Sequence, residues 1–302
     1  MEKTEDIFDL SKRYNPSERE VFPSILLVGC GKMGVALLHG FRHSFVYGFV
    51  QGGGEEEKHF SCVVVDRHLP RLPDSCCCVA SVSDIPQNFI PDVIILAIKP
   101  QKAEEVLIAL GVRYAEQKLT LLSVMAGRTV AYLEKMWCVH SCSRPIVVRA
   151  MPNTPSVVGA GVCGLYASGQ VGVKQKQQCE RLMRAVGQVV WVDEESLIDV
   201  VTGVSGSGPA YVFLLAEWLE KAGIEQGLPQ KVARLLAREV IYGAGKMLHE
   251  QSTDASELRQ NVTSPGGTTA AALSVLMRED AFPKIIPEAV TAAVRRAGEL
   301  AC

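Results

Sequence analysis

The stretch 261–270 reads NVTSPGGTTA and gathers hydroxyls and glycines around one proline. Pro265, Gly266 and Gly267 cannot continue a helix, so the chain turns there. Ala-rich sequence follows and restarts a helix, whose first turn presents N–H groups that have no acceptor within the helix. With Ser264, Thr268 and Thr269 beside them, such groups suit a carboxylate or a phosphate. A plain capped turn between two helices would use the same residue types. What favours a ligand is a second glycine cluster at the other end of the chain.

That cluster is Gly29, Cys30, Gly31, Lys32, Met33 and Gly34, a G-x-G-x-x-G run directly after the apolar residues ILLV. In a strand–turn–helix setting the first glycine makes the tight turn and the second lets the backbone approach a pyrophosphate. The third lets helix and strand pack closely. A later apolar run ends in Asp66 and Arg67. An acid at this place hydrogen-bonds an adenosine ribose and points to NADH, whereas an arginine accommodates a 2′-phosphate and points to NADPH. The pair points both ways, and both cofactors stay open.

Two more strand ends carry candidates, Ala97, Ile98, Lys99 and Pro100 at one and Val124, Met125, Ala126 and Gly127 at the other. Strand C-termini of a doubly wound sheet line its ligand crevice. Lys99 suits an anion or a ribose hydroxyl there, or is a plain surface lysine. Asn153 lies between two prolines and belongs either to a rigid loop or to a wall near a nicotinamide, where its amide would donate and accept. The run 203–211, GVSGSGPAY, reads as a second Gly/Ser turn feeding a helix, serving packing or facing the site with its hydroxyls.

These residues must be held by elements, and the pattern supplies them. Short apolar runs at 24–28, 62–66, 92–98, 119–124 and 145–149 are interrupted by helix-like stretches at 101–110 and 129–137. Such alternation predicts an α/β domain with a parallel sheet covered on both faces. Strand-like runs stop after about residue 193, and helices are expected over 209–222, 229–249, 254–261, 268–277 and from 287 onward. Two domains follow, a dinucleotide-binding one over 1–193, with 1–20 as an extension, and an all-helical one over 194–302. The Gly/Glu-rich stretch 47–58 reads as an exposed insertion loop. The helical half is rich in Ala, Gly, Leu and Val, and is expected to pack against a second copy of itself.

Composition narrows the function classes. The 302 residues carry 31 basic and 33 acidic side chains, a net charge of −2, which gives no footprint for nucleic acid. Aromatic residues at 6% argue against base-stacking platforms. No apolar run approaches the length a membrane span needs, so no membrane partner is expected. The first twenty residues are mixed in charge, with no apolar signal region, and acids there disfavour a mitochondrial transit peptide; a cytoplasmic protein is expected. The ten cysteines read as free thiols. The adjacent Cys76, Cys77 and Cys78 do not match the spaced pairs of zinc sites, so no metal is expected, and they read as a partly exposed, oxidation-prone cluster.

Taken in order, GCGKMG, LAIKPQ, SVMAG, MPNTP, VSGSGPAY and VTSPGGTTAAAL resemble the pyrroline-5-carboxylate reductase family, over residues 25–276. VTSPGGTT is the piece specific to that family. The resemblance implies a Rossmann-type domain followed by an all-helical dimerisation domain that interlocks with a second subunit, with rings of dimers up to a decamer. It implies NADPH- or NADH-dependent reduction of L-1-pyrroline-5-carboxylate to L-proline. Carried over by position, the cofactor lies on Gly29 to Gly34, Ala97 to Pro100 and Val124 to Gly127, and the substrate on Ser264, Gly266, Gly267, Thr268 and Thr269. Asp84 stands where relatives often carry an Asn near the adenosine ribose. For the imine chemistry, Thr269 is the expected partner of the ring nitrogen. A β-hydroxyacid dehydrogenase would instead use a helix-borne lysine, Lys221 or Lys246, as its acid. A non-catalytic nucleotide sensor would use neither.

Overall fold

A computed structural model of the chain describes residues 23–42, 44, 61–68 and 76–301. The expected extension 1–20 and insertion 47–58 lie outside the described residues. Eight strands are present: β1 (Ile25–Val28), β2 (Cys62–Val65), β3 (Cys76–Val79), β4 (Val93–Leu96), β5 (Thr120–Ser123), β6 (Ile146–Met151), β7 (Gly161–Ala167) and β8 (Gly187–Trp191). They form one sheet in the order β3-β2-β1-β4-β5-β6-β7-β8. All neighbours run parallel except β6 and β7, which are antiparallel.

Strands β1, β2, β4 and β5 are buried at every residue, as continuous apolar runs in a doubly covered sheet should be. The helices that cover them are α1 (Lys32–Arg42), α2 (Ala103–Arg113), α3 (Val130–Trp137) and α4 (Val173–Arg184). Leu37 and Phe41 of α1 and Leu182 of α4 close over Leu27, Val64 and Ile95 on one face. Leu107 and Leu110 of α2 and Leu133 and Trp137 of α3 close over Leu26, Ile94 and Leu121 on the other.

Three of the strands were not among the five apolar runs. The cysteine run 76–78 is an edge strand, in register with β2 through Cys62 opposite Cys76. Its cysteines alternate: Cys76 and Cys78 pack on the core while Cys77 is exposed. β7 and β8 carry glycines in place of a solid β-branched run.

The described residues divide into two compact units. One takes the chain through Ser207 and regains it from Ala292 onward; the other is Gly208–Thr291. The change of composition near residue 193 precedes this division because α5 (Leu197–Val201) still packs on the sheet. Val201 fills the space that a β-carbon on Gly164 of β7 would need, at 2.7 Å. The expected Gly/Ser turn at 203–208 is not a turn. α5 continues through a π-helical stretch, Thr202–Gly206, into α6 (Gly208–Glu225). Ser205 Oγ donates to the Val201 carbonyl, and Thr202 Oγ1 donates to that of Ile198, so both hydroxyls satisfy helix carbonyls. The unbroken helix Leu197–Glu225 is long and apolar enough to cross a membrane by length and composition alone. That corrects the expectation that no run reaches such a length; the glycines at 203–208 hid its continuity.

The second unit contains α6, α7 (Gln230–Glu250), α8 (Ala255–Asn261), α9 (Thr268–Leu276) and the start of α10 (Phe282–Ala301). α10 begins before Pro287, which sits inside it; Pro283 occupies the first turn, where a missing N–H costs nothing. α6 and α7 touch where a β-carbon on Gly223 would lie 3.3 Å from that of Ala233. Arg234 joins them by donating Nη2–H and Nε–H to Glu220, at 2.9 and 3.1 Å. α6 has no buried residue, and α7 buries only Ala233 and Ala237.

Candidate nucleotide and anion sites

In the sheet unit the ladder continues beyond the strands, with Gly29 N–H donating to Val65, Ala97 N–H to Val28 and Val124 N–H to Leu96. The loops after β1, β4 and β5 therefore leave from one edge, the carboxyl ends of the parallel strands. The three fingerprint glycines do different work there. Gly29 has φ +94°, and a β-carbon on it would come within 2.6 Å of the Ala97 carbonyl oxygen. A β-carbon on Gly34 would lie 2.3 Å from the Gly29 carbonyl oxygen, so this glycine lets α1 sit against the turn. A β-carbon on Gly31 would meet nothing within 4 Å. Packing inside the protein does not require that glycine; a cradle left open for a ligand's phosphates does. The first N–H groups of α1, on Lys32 and Met33, have no acceptor within the helix and face the start of that cradle. These residues fit a dinucleotide.

The acid at the end of β2 is built into the same loop. Cys30 N–H donates to Asp66 Oδ2 at 2.7 Å, and His68 N–H donates to Oδ1 at 2.9 Å. Cys30 is buried, and burial, with the Asp66 charge second, pushes its thiol up to about 11. Arg67 is exposed. Asp84 ends the short turn after β3, where Ser81 Oγ donates to its Oδ2 at 2.7 Å.

Lys99 is exposed at the loop after β4, and Pro100 opens a short 3-10 turn there. In the loop after β5, Met125 is 3% exposed and belongs to the core, so only its backbone can reach a ligand. Gly127, at φ +66°, is needed for packing: a β-carbon would lie 2.5 Å from the Leu300 carbonyl oxygen at the end of α10. Arg128, which the sequence did not single out, ties the two loops together. Its Nε–H and Nη2–H both donate to the Pro100 carbonyl at 3.3 Å, and its guanidinium lies over the Tyr132 ring at 4.6 Å.

Asn153 makes a bracket. Its Nδ2–H donates to the Ser205 carbonyl in the π-helical stretch at 3.1 Å, and its Oδ1 accepts from Val162 N–H of β7 at 2.9 Å. The amide is 8% exposed and used at both ends, so the rigid-loop reading describes it better than a wall open to the nicotinamide. A second bracket was also not anticipated. The buried Arg149 of β6 pairs with Glu195 at 2.9 Å, and Glu195 accepts from Val130 N–H at the start of α3. The signal for it was a charge at the end of an apolar strand run.

In the helical unit, residues 264–267 form a turn closed by Gly267 N–H donating to the Ser264 carbonyl at 3.0 Å. Pro265 second and Gly266 third, the latter at φ +71°, are the residues a type II turn demands. Gly267 is the N-cap of α9 and has no side chain to cap with. Thr268, Thr269 and Ala270 thus begin the helix with N–H groups lacking intrahelical acceptors. The hydroxyls of Ser264, Thr268 and Thr269 have no partner among the described residues. One group expected for an anion is spent, since the Gly267 N–H closes the turn. The two lysines of the rival reading are engaged elsewhere. Lys221 pairs with Glu217 at 2.6 Å and lies 4.4 Å from the Trp218 ring, and Lys246 pairs with Glu250 at 3.7 Å. Among the described residues no group of three or more His, Cys, Asp or Glu side chains could hold a metal ion.

Residues 195–300 match a family model described as pyrroline-5-carboxylate reductase dimerisation. A protein of Pseudomonas aeruginosa named pyrroline-5-carboxylate reductase is 36% identical over 287 residues, covering 92% of this chain and 97% of that protein. The solved structure of a pyrroline-5-carboxylate reductase from Coxiella burnetii superposes with a TM-score of 0.77 at 34% identity, covering 93% of this chain and 99% of that one. That of Plasmodium falciparum pyrroline carboxylate reductase, solved with NADP bound, gives 0.74 at 26% identity, covering 93% and 98%.

Proposed function

The chain belongs to the pyrroline-5-carboxylate reductase family, and on that footing we propose how its residues divide the NAD(P)H-dependent reduction of L-1-pyrroline-5-carboxylate to L-proline, the last step of proline biosynthesis. The substrate is a cyclic imine bearing a carboxylate. Bound NAD(P)H supplies the hydride that adds to the imine carbon. The protein must hold the carboxylate, orient the ring and keep water away.

The start of α9 takes the carboxylate, through the N–H groups of Thr268 and Thr269 and the Ser264 hydroxyl. The Thr269 hydroxyl is the partner of the ring nitrogen. A hydroxyl is too weak an acid to protonate the nitrogen, so its part is to position the ring by accepting the N–H of the protonated imine, which hydride addition at carbon converts directly to the amine. The nucleotide lies along Gly29 to Gly34, with the loops after β4 and β5 beside it. The observation that carries this reading is a helix start with three N–H donors lacking intrahelical acceptors and three hydroxyls without partners among the described residues, in the stretch specific to the family.

The chain is a homo-oligomer, assembled through its helical region. Its finer form is an interlocked dimer in which the exposed apolar side chains of α6 and α7 are covered, with dimers joining into a ring as large as a decamer. A cytoplasmic setting suits the nine described cysteines, all free. One experiment tests the whole: follow nicotinamide oxidation with pyrroline-5-carboxylate, with NADH and NADPH in turn. Turnover with either bears out the assignment, and none with both sinks it.

A further inference from the structure

We infer, on the nucleotide reading of the glycine loop, that Arg128 is a positioning residue for the nicotinamide half of the cofactor, acting by fixing the gap between the loops after β4 and β5. The sheet order β3-β2-β1-β4-β5 reverses direction between β1 and β4. At such a switch point a dinucleotide lies across the strand ends, with its diphosphate at the loop after β1 and one nucleoside on each side. The loop after β2 lies on the adenosine side, so the loops after β4 and β5 take the nicotinamide half. Those two loops leave from separate strands. To grip one ring between them they must be held at a set spacing.

Three ties hold the loop after β5 and the start of α3 within the sheet unit. Gly127 lies against the Leu300 carbonyl, Arg128 reaches Pro100, and Val130 N–H donates to Glu195 Oε1 at 2.7 Å. Of these, only the Arg128 tie ends on the other cofactor loop. Its Nε–H and Nη2–H converge on a single oxygen, the Pro100 carbonyl, and the Tyr132 ring sets the plane of the guanidinium. Arg128 has no carboxylate partner among the described residues, so no ion pair competes for the fork. Nor does the backbone need it. The Pro100 carbonyl already accepts from Ala103 N–H, so removing the guanidinium leaves that oxygen paired and costs little stability. What is lost is the spacing between Lys99–Pro100 and Ala126–Gly127.

Two kinds of ligand separate the halves on the full-length protein. ADP carries the adenosine and the diphosphate, whereas NADH and NADPH carry the nicotinamide as well. ADP is titrated by calorimetry, and NADH and NADPH each by nicotinamide fluorescence. In Arg128→Ala both reduced nucleotides should bind about tenfold more weakly, and kcat with pyrroline-5-carboxylate should fall about tenfold, while ADP affinity and melting temperature hold. Arg128→Lys keeps the charge but loses the two-donor fork, and should fail to restore either value. Equal weakening of ADP and the reduced nucleotides in a folded Arg128→Ala overturns the inference. So do unchanged affinities throughout, or full recovery in Arg128→Lys, which would make charge and not spacing the cause. An unaltered protein that binds neither ADP nor reduced nucleotide removes the reading of the glycine loop and the inference with it. If the split between ADP and reduced nucleotide appears but no imine is reduced, the inference stands and the proposed reaction falls.

Discussion

The sheet unit and the helical unit use apolar residues in opposite ways. In the first, β1, β4 and most of the helix faces over them are sealed, and side chains such as Trp137 and Phe41 are wholly buried. In the second, Phe213 is 66% exposed, Trp218 57% and Tyr242 65%, and α6 buries nothing. Large apolar side chains left open in this number mark an interface. The sheet unit carries its own core, while the helical unit, which matches a dimerisation model, leaves its apolar side chains open. On the proposed reading, the cofactor loops stand on structure that one chain completes, and the substrate loop on structure that needs two.

The hardest way to break that contrast is to charge the open face. Phe213→Asp combined with Trp218→Asp should raise the dimer dissociation constant by about 10³-fold or more, since buried aromatic anchors dominate interfaces. Light scattering should report monomers without turnover, and NADH should still bind. If the double variant remains dimeric, α6 is not the joining face. Next in size is Thr269→Val, expected to lower kcat/KM by about 10²-fold with nucleotide affinity unchanged. Unaltered steady-state kinetics would remove Thr269 from the mechanism.

The glycine loop allows a sharper cut. Gly31→Val should weaken NADH about tenfold or more while the melting temperature holds, because only a ligand occupies that space. Gly34→Ala should lower stability first, since its β-carbon strikes backbone. Asn153→Ala should cost about 1–3 kcal/mol of stability, by leaving backbone groups unpaired, and should spare nucleotide affinity.

Alkali offers the gentlest probe, because every described cysteine lies in the sheet unit. A thiol with a raised folded value is held protonated by the fold, so its stabilisation is intact below the unfolded value and fades as pH rises through the folded one. For Cys30 that window runs from 9.0 to about 11, and for Cys179 burial extends it to about 12. Melting curves over this range should fall, and Cys30→Ala with Cys179→Ala should flatten the fall. An equal fall in the double variant would place its cause elsewhere.

What could be read from the sequence follows the same physics. Strands buried on both faces are written as solid apolar runs, so β1, β2, β4, β5 and β6 were visible. β3 was not, because an edge strand with one face half open can be made of cysteine, and β7 and β8 carry glycine for close approach. Local chemistry dictated the positive φ of Gly29 and Gly266, and both turns were legible. The brackets at Asn153 and Arg149 join residues far apart in the chain; a charge closing an apolar run marks Arg149 as unusual, but no local pattern names the partner of either. The π-helical stretch was misread for a related reason: its glycines look like a turn, while the hydroxyls of Thr202 and Ser205 satisfy helix carbonyls instead.

That stretch, Thr202–Gly206, amounts to one extra residue carried within a helix. Removing one residue there, Val204 for instance, would restore ordinary winding and turn everything after it by about 100° about the helix axis. Phe213 and Trp218 would then leave the helix along a different azimuth, with no side chain of α6 altered. A single-codon deletion at this point is thus a change of winding made without a change of surface.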